Sequence, residues 1–560
     1  MKSKKLYLFI TVLMALSLLI GACGSPAVPA VEEEAAPVEE AEAPAEEVEE
    51  AAPAPTEEPA PAMPKVLKVA NTANITTWDP IGSFSTEAAY MANMYEQLLR
   101  VNAPGAAEPF TPLLAESWES NDDGTEWTFH LREGVTFHDG EPMNAEAVKA
   151  SLEAAADHAG ASFIWWALDS VEVVDEYTVK IIMTVASPVD LIASSLYGAW
   201  IVSPKALEAA AADEGYFEAG VEAGTGPYML SEYTPDQEIV LVSYEDYWGG
   251  WSDDQFDTVL IKLVPEAVTQ QQMLEGGEVD LVTRIPQENY SDFRDNPDYT
   301  VMDEPSFFNY VGYFNTLHAP LDNTLVRQAL SYAIPYDDII KIGAYELGTQ
   351  SRGPVPAGVW PWSPDVNQYT YDLDKAKELL AEAGYPDGLP EPLKLTYASE
   401  NATEEAFAPL IKDSFAQIGV EVEIEPMLWS QQWELSKADP AADDTQDIFI
   451  VLYWPTYSDA GSDNIYSLFH SQDYVFFNLS YWKNEDFDAL LDKAIAETVS
   501  DPAQSQQDYI DAMNLLVEEA PGIFFFDTQA TFIVPTYIHG FQYNLNYPFV
   551  QHFYYELTSE

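Results

Sequence analysis

The chain contains a single cysteine, Cys23, among 560 residues. One thiol makes no intrachain disulfide and no thiolate metal centre, so the fold must be held by buried apolar surface rather than by cross-links. The cysteine's position narrows the matter further. Met1 is followed by Lys2, Lys4 and Lys5, then by an apolar run from Leu6 to Ile20 that ends Gly21-Ala22-Cys23. A basic start, a short apolar core and small residues before a cut site describe a secretory signal peptide over 1–22. The run is just short of a membrane span, and the small pair before Cys23, with no basic stop-transfer patch after it, favours cleavage over a permanent anchor.

The segment ending at Cys23 resembles a bacterial lipobox, which implies a diacylated Cys23 as the first mature residue. Each buried CH₂ of an acyl chain contributes ~0.8 kcal/mol, and stable anchoring takes more than one chain. Residues 24–64 are almost wholly Ala, Glu and Pro, as in Glu32-Glu33-Glu34 and Glu46-Glu47-Val48-Glu49-Glu50. Lacking aromatics and carrying like charges, they cannot bury enough to fold. The span 23–64 is therefore expected to be a lipidated residue followed by an extended tether.

From Val66 the composition becomes that of a globular protein rich in Trp, Tyr and Phe. Nearly 500 residues exceed one core, so two or more lobes are expected. The formal charge is −71, from 94 acidic and 23 basic residues. Three of those bases lie in the first five positions and twelve of the acids in 24–64, leaving 82 acids against 20 bases beyond. Such a field repels nucleic acid and anionic lipid, which excludes both as partners of the folded part.

The pattern is mixed α and β. Trp127, Phe129 and Leu131 alternate with Thr128 and His130, as a half-buried strand does. Val171 and Val173, then Tyr177, Val179 and Ile181, flank Asp175-Glu176 as a hairpin. Further strands are expected at 238–244, 258–265, 307–315 and 448–453. Phe487, Leu490, Leu491, Ala494 and Ile495 have helical spacing after the acidic residues Glu485 and Asp486, and Ile510, Met513, Leu516 and Val517 line one face of another helix. Asp372–Ala383 has acids early and Gly384 past its end, as helix termini require.

Signatures of catalysis are missing. The seven histidines (130, 138, 158, 318, 470, 539, 552) are scattered, with no paired metal spacing. Gly224-Thr225-Gly226 is followed by Pro227, which removes an amide that a phosphate cradle needs. Asn121-Asp122-Asp123-Gly124 lacks the ligand spacing of a calcium loop and reads as a hairpin turn. No cofactor and no metal are expected. A secreted hydrolase using a carboxylate pair is kept as the lesser alternative.

Several runs resemble the family 5 extracytoplasmic solute-binding proteins, the oligopeptide-, dipeptide- and nickel-binding receptors of ABC importers. The most specific is Leu114-Ala115-Glu116-Ser117-Trp118, then Trp127-Thr128-Phe129-His130-Leu131-Arg132-Glu133-Gly134-Val135, then Phe137-His138-Asp139-Gly140-Glu141-Pro142. Trp78-Asp79-Pro80, Asn93–Leu99, Gly224–Tyr228, Gly277–Asp280, Val326–Ile334 and Ala376–Tyr385 add to it. Pro335-Tyr336 departs from the Asp-Arg pair common after Ala333-Ile334. Read bottom-up these runs are structural: Arg132 needs a carboxylate, Asp139-Gly140 suits a tight turn, and Gly226-Pro227 fixes a bend.

The resemblance implies a periplasmic-binding-protein-like fold of two lobes joined by a hinge, with an extra inserted subdomain. Carried over, lobe I is 65–108, 222–316 and 525–560, the insert 109–221 and lobe II 317–524, with hinge crossings near Phe307–Phe314 and Phe524–Asp527. In peptide-binding members the ligand lies as an added strand between segments that match Ser83-Phe84-Ser85 and Tyr453-Trp454-Pro455-Thr456-Tyr457 here. Where the family commonly has an aspartate for the peptide's α-amino group, this chain has Tyr457, with Asp459 the nearest acid, and Pro455 supplies no amide to a ligand strand. The ligand-binding candidates are Ser83, Phe84, Ser85, Tyr453, Trp454, Thr456, Tyr457 and Asp459.

The expectation is a monomeric, lipid-anchored, extracytoplasmic receptor, in the periplasm or on the outer cell surface. It takes up peptides for an ABC permease and its ATPase subunits and is not an enzyme. An oligosaccharide is the alternative ligand, with Trp360, Trp362, Trp429, Trp433, Trp454 and Tyr457 as candidate sugar-facing rings.

Overall fold

A computed structural model describes residues 65–559, apart from 73–74, 105, 159–160, 214, 222, 437–438, 443–444, 456–463, 472–476 and 499. Cys23, the span 24–64 and the site candidates Thr456, Tyr457 and Asp459 lie outside the described residues. The described residues all belong to one compact unit, Met63–Glu560. Among them no helix is long and apolar enough to cross a membrane.

The architecture is mixed α/β, built on three principal sheets. A five-stranded sheet has the spatial order Leu281–Val282, Val66–Asn71, Thr258–Leu263, Glu238–Ser243 and Tyr228–Thr234. A four-stranded antiparallel sheet runs Ala115–Ser120, Glu126–Leu131, Thr178–Met183 and Leu168–Asp175. A six-stranded sheet runs Gly348–Thr349, Gly522–Pro535, Tyr299–Phe314, Ile448–Tyr453, Leu393–Ala398 and Val422–Met427. The expected strand at Trp127–Leu131 is there, with Trp127, Phe129 and Leu131 buried, as are the 171–181 hairpin and the strands at 238–243, 258–263 and 448–453.

Each sheet has its own packing. Val69, Ile261 and Leu241 centre the core of the five-stranded sheet; Phe129, Val171 and Ile181 centre that of the four-stranded sheet. The six-stranded sheet is buried on both faces. Ile448 and Ile450 pack with Phe314 on one side, while Phe449 and Val451 pack with Tyr313 on the other. Such a strand reads as a continuous apolar run, which Ile448-Phe449-Ile450-Val451-Leu452 is.

Two long strands join these regions. Tyr299–Phe314 pairs antiparallel with Gly522–Pro535, from Tyr299 opposite Pro535 to Tyr313 opposite Gly522. At one end Val301 and Ile533 pack together with Ala70 of the five-stranded sheet; at the other Phe314, Ile523 and Phe525 pack under the six-stranded sheet. The register breaks between Pro305 and Asn309. Proline has no N–H for the ladder, so a break beside Pro305 is where such a pair bends most easily.

Local chemistry follows the sequence closely. Arg132 meets Glu116 at 3.3 Å, donates from Nε to the Leu113 carbonyl at 3.0 Å and lies over the Trp248 ring. Gly224 and Gly226 sit against the Met94 backbone so closely that a Cβ on Gly224 would fall 2.1 Å from the Met94 oxygen. The hydroxyl of Thr225, between them, donates to Glu96. The 487–495 and 510–517 patterns lie in helices Glu485–Glu497 and Pro502–Glu519, and 372–383 in Leu373–Glu382, each begun by a side chain that accepts a first-turn N–H: Asn484, Asp501 and Asp372. Pro335 stands at the start of the helix Tyr336–Gly343, so the departure at Pro335-Tyr336 falls at a helix N-terminus.

Candidate binding cleft

Parallel strands direct their carboxyl ends to one side, and ligands of open α/β sheets bind beyond those ends. In the five-stranded sheet Val66–Asn71 and Leu281–Val282 run parallel; in the six-stranded sheet Leu393–Ala398 runs parallel to both Val422–Met427 and Ile448–Tyr453. The segments leaving these two sets of ends face one another. A cavity of about 640 Å³ is lined from one side by Arg284, Gln287 and Tyr290, and from the other by Glu400, Asn401 and Trp429.

The candidates of the first segment are partly committed to the fold. Ser83 is fully buried, its hydroxyl donating to Glu87 at 2.7 Å and its N–H to the Asp79 carbonyl at 2.9 Å. Ser85 is half-buried, its carbonyl taking the Ala88 N–H at 3.4 Å. Phe84 is different: it stacks on Tyr197 at 5.5 Å and meets Phe163 at 5.2 Å.

In the second segment Tyr453 ends its strand opposite Asn309, and Trp454 stacks on it at 6.2 Å between ring centroids. Trp454 also presents an edge to Phe549 at 4.6 Å and to Phe308 at 6.4 Å. It thereby packs against the core of the five-stranded sheet although its own strand belongs to the six-stranded one.

The rings form a continuous line. Tyr197, Phe84 and Phe163 lead to Phe477 at 5.8 Å, then to Trp433 at 5.5 Å and Trp429 at 5.7 Å. Phe163 packs on the four-stranded sheet, whereas Phe477 and Trp433 pack against one face of the six-stranded sheet. Trp166 stacks on Tyr466 in the same sense, planes 6° apart. Trp360 and Trp362 instead lean on the Phe449 face of the six-stranded sheet.

Buried ionisable groups underlie the cleft. Asp527, beside Asn309 on the paired strands, accepts from the Ser351 hydroxyl and the Ala357 N–H, and burial pushes its carboxyl up to about 6. Glu404 accepts the Ala398 N–H at 3.0 Å and, at the start of the helix Ala402–Ala416, faces the capping residue Asn401; burial pushes it to about 8. Asn401 caps the helix, its side-chain oxygen accepting the Thr403 and Glu404 N–H groups while its amide donates to Glu404, and burial favours the protonated form of that acid. The Tyr310 hydroxyl, raised to about 12 mainly by burial, donates to Asn401. Among the described residues no group of three or more His, Cys, Asp or Glu could hold a metal ion.

Sequence reading missed Phe163, Phe477, Arg284 and Tyr345. The aromatic run Phe163-Ile164-Trp165-Trp166 was a usable signal, and so was the scarcity of arginine in so acidic a chain.

Residues 109–475 match the family model of the bacterial extracellular solute-binding proteins, family 5. The chain is 30% identical over 417 residues to heme-binding protein A of Haemophilus influenzae, covering 69% of this chain and 74% of that one. It is 28% identical over 471 residues to a glutathione-binding protein of Escherichia coli K12, covering 82% and 88%. Among solved structures it resembles an ABC transporter-associated periplasmic binding protein of Helicobacter pylori in complex with the peptide STSA, at a TM-score of 0.76 and 24% identity over 88% of this chain and 98% of that one.

Proposed function

The chain belongs to the bacterial extracellular solute-binding proteins of family 5, and we propose that it captures peptides in the cleft between two lobes and passes them to an ABC permease. The family comprises solute-binding proteins of ABC importers and not enzymes, so the hydrolase reading falls. The observation that carries the peptide reading is the placement of Trp454. It leaves a sheet on one side of the cleft and packs on rings of the other, so a ligand gripped there touches both sides. A ligand that bridges two lobes stabilises their closed arrangement, which is how capture becomes a signal to a permease.

In this reading lobe I is 65–108, 222–316 and 525–560, the insert 109–221 and lobe II 317–524. The separate cores of the three sheets and the two long connecting strands support that division. Ser83, Phe84, Ser85, Tyr453, Trp454, Thr456, Tyr457 and Asp459 form the peptide site, with Phe84 and Trp454 as its rings and Ser83 holding the loop from beneath. Cys23 carries the lipid, and the tether lets a monomeric receptor sample space outside the cytoplasmic membrane near its permease.

An oligosaccharide is the second reading. It is favoured by Trp429, which is exposed and stacked on Trp433, and by Pro455, which offers no amide to a ligand strand.

A thermal-shift screen against peptides, cello- and xylo-oligosaccharides and nickel separates these ligands, since stabilisation follows ligand concentration over affinity. Upward shifts with peptides alone support the proposal. Shifts with sugars and none with peptides replace it.

A further inference from the structure

The two long strands are tied together by the loop Ser351–Ala357, and the buried amides in that tie are only half satisfied. Ser351 and Ala357 both donate to Asp527, the hydroxyl to Oδ1 at 2.7 Å and the N–H to Oδ2 at 3.0 Å. Between them the Pro354 carbonyl accepts from Nδ2 of Asn309 at 2.7 Å and from Nδ2 of Asn464 at 3.2 Å. Asn309 and Asn464 are fully buried, and Asp527 is 7% exposed. The loop therefore grips both strands beside the break in their register.

A carbonyl accepts and never donates, so Pro354 holds the nitrogen of each amide toward itself and fixes which way the oxygen points. Among the described residues neither Asn309 Oδ1 nor Asn464 Oδ1 receives a hydrogen bond. Leaving a buried acceptor without a donor is costly, and most such groups in folded proteins have one. For Asn309 the fold supplies a source. Asn309 stands directly opposite Asp527 in the antiparallel pair, which puts both side chains on one face with Cβ atoms roughly 5 Å apart. A carboxylate there offers the amide oxygen only lone pairs. A carboxylic acid has an O–H to give and keeps acceptor capacity for Ser351 and Ala357. Asn464 lies outside the sheet and has no such partner.

The surroundings leave that proton to the pair. On the shared face the strand of Asn309 carries Tyr313, and the strand beyond it carries Tyr453 opposite Asn309. Asp303 and Glu304 lie past the register break. Arg352, on the loop, donates to the Val366 carbonyl at 2.8 Å, and beyond Asn464 the rings of Tyr466 and His470 stack on one another. The strand Gly348–Thr349, on the other side of Asp527, has no titratable group. Burial raises the Asp527 carboxyl to about 6 against the lowering by Ser351 and Ala357, with no charged neighbour contributing. The stabilisation its proton brings is complete below the ordinary carboxylate value and is lost as pH rises through about 6.

We propose that Asp527 and Asn309 form a proton-dependent clasp at the crossing of the two long strands, the carboxyl O–H donating to Asn309 Oδ1 and locking the Ser351–Ala357 loop across both. Without the proton two acceptors face each other and the crossing loosens. Trp454 and Phe549 meet across the cleft in this structure, so the locked crossing belongs to the arrangement that keeps a solute enclosed. Acid favours retention, and a rise in pH favours release. Only this last step rests on the reading of the chain as a two-lobed receptor.

The test is a double-mutant cycle of N309A and D527A in the whole chain, read by urea unfolding at pH 5 and pH 7. These values bracket the Asp527 transition and stay short of that of Glu404 near 8. Coupling of the two side chains should be roughly tenfold in the folding constant at pH 5, the size of a net hydrogen bond, and absent or reversed at pH 7. D527N, whose amide donates at any pH while the Ser351 hydroxyl turns to accept, should couple to Asn309 at both. N464A should cost the same at both. Infrared spectra with isotope-labelled aspartate, the D527N spectrum subtracted, read the proton without relying on the double variant. They should show a hydrogen-bonded acid at pH 5 that moves toward a free acid in N309A. The peptide Ala-Ala-Trp, whose termini do not titrate between these pH values, should bind about three- to tenfold more tightly at pH 5 in the parent and equally at both in D527N. Equal coupling at the two pH values, or an acid band that N309A leaves unmoved, overturns the clasp. Coupling as expected with an affinity indifferent to pH overturns its hold on the solute. No binding of the peptide at either pH, with the coupling intact, removes the peptide reading and leaves the clasp in place.

Discussion

Phe163 and Phe477 meet edge to face, their centroids 5.8 Å apart and their planes at 70°, although one packs on the four-stranded sheet and the other on the six-stranded sheet. An aromatic pair in this geometry contributes about 0.5–1.5 kcal/mol beyond the area it buries. Because it forms between two separately cored regions, that energy favours the arrangement in which they are together. Removing either ring should weaken ligand affinity about three- to tenfold, with little effect on melting of the unliganded protein. In a double-mutant cycle F163A and F477A together should cost little more than either alone. Additive losses would mean that the rings act independently.

Glu404 sets part of the pH dependence of stability. Its folded carboxyl titrates near 8 and its unfolded one at the ordinary value, so the folded state holds the extra proton between them. The stabilisation is fully present below the ordinary carboxylate value and is lost as pH rises through about 8. Asp527 acts in the same direction but is spent by about 6. Glu404→Gln keeps a carbonyl oxygen for the Ala398 N–H and has no proton to lose. Urea unfolding between pH 6 and 8 should therefore show stability falling by about 1–3 kcal/mol in the parent and a flat profile in the variant. Parallel profiles would contradict the assignment.

Gly224 is fixed by steric contact. A Cβ there would lie 2.1 Å from the Met94 oxygen, a backbone atom that cannot rotate away. Gly224→Ala should destabilise by about 3 kcal/mol or more, as overpacking against a rigid neighbour does. Gly215→Ala, where the nearest atom is a side-chain oxygen at 3.5 Å, should melt within a degree or two of the parent. Equal melting temperatures for the two variants would contradict the packing described.

Much of the scaffold was legible because it rests on local rules. Alternation exposed the strand at Trp127–Leu131, and the strand expected at 448–453 has an unbroken apolar run that its burial on both faces explains. Glu485 and Asp486, and the acids that open the 372–383 segment, marked helix starts by chemistry that needs no tertiary partner. The candidate site residues were named from family segments rather than from local pattern. Ser83 was named from the resemblance to a family segment, and nothing local revealed that its hydroxyl is buried on Glu87. Phe163 and Phe477 are over three hundred positions apart, so their meeting is a property of the assembled fold.

The central claim is non-catalytic capture of a peptide, and titration calorimetry on the protein with tri- to pentapeptides tests it most directly when the ligand is then recovered and chromatographed. The account predicts saturable binding of one peptide per chain, with a negative heat-capacity change from buried apolar surface, and recovery of the peptide intact. Absence of a saturable heat with every peptide, or recovery of cleaved peptide, would contradict it.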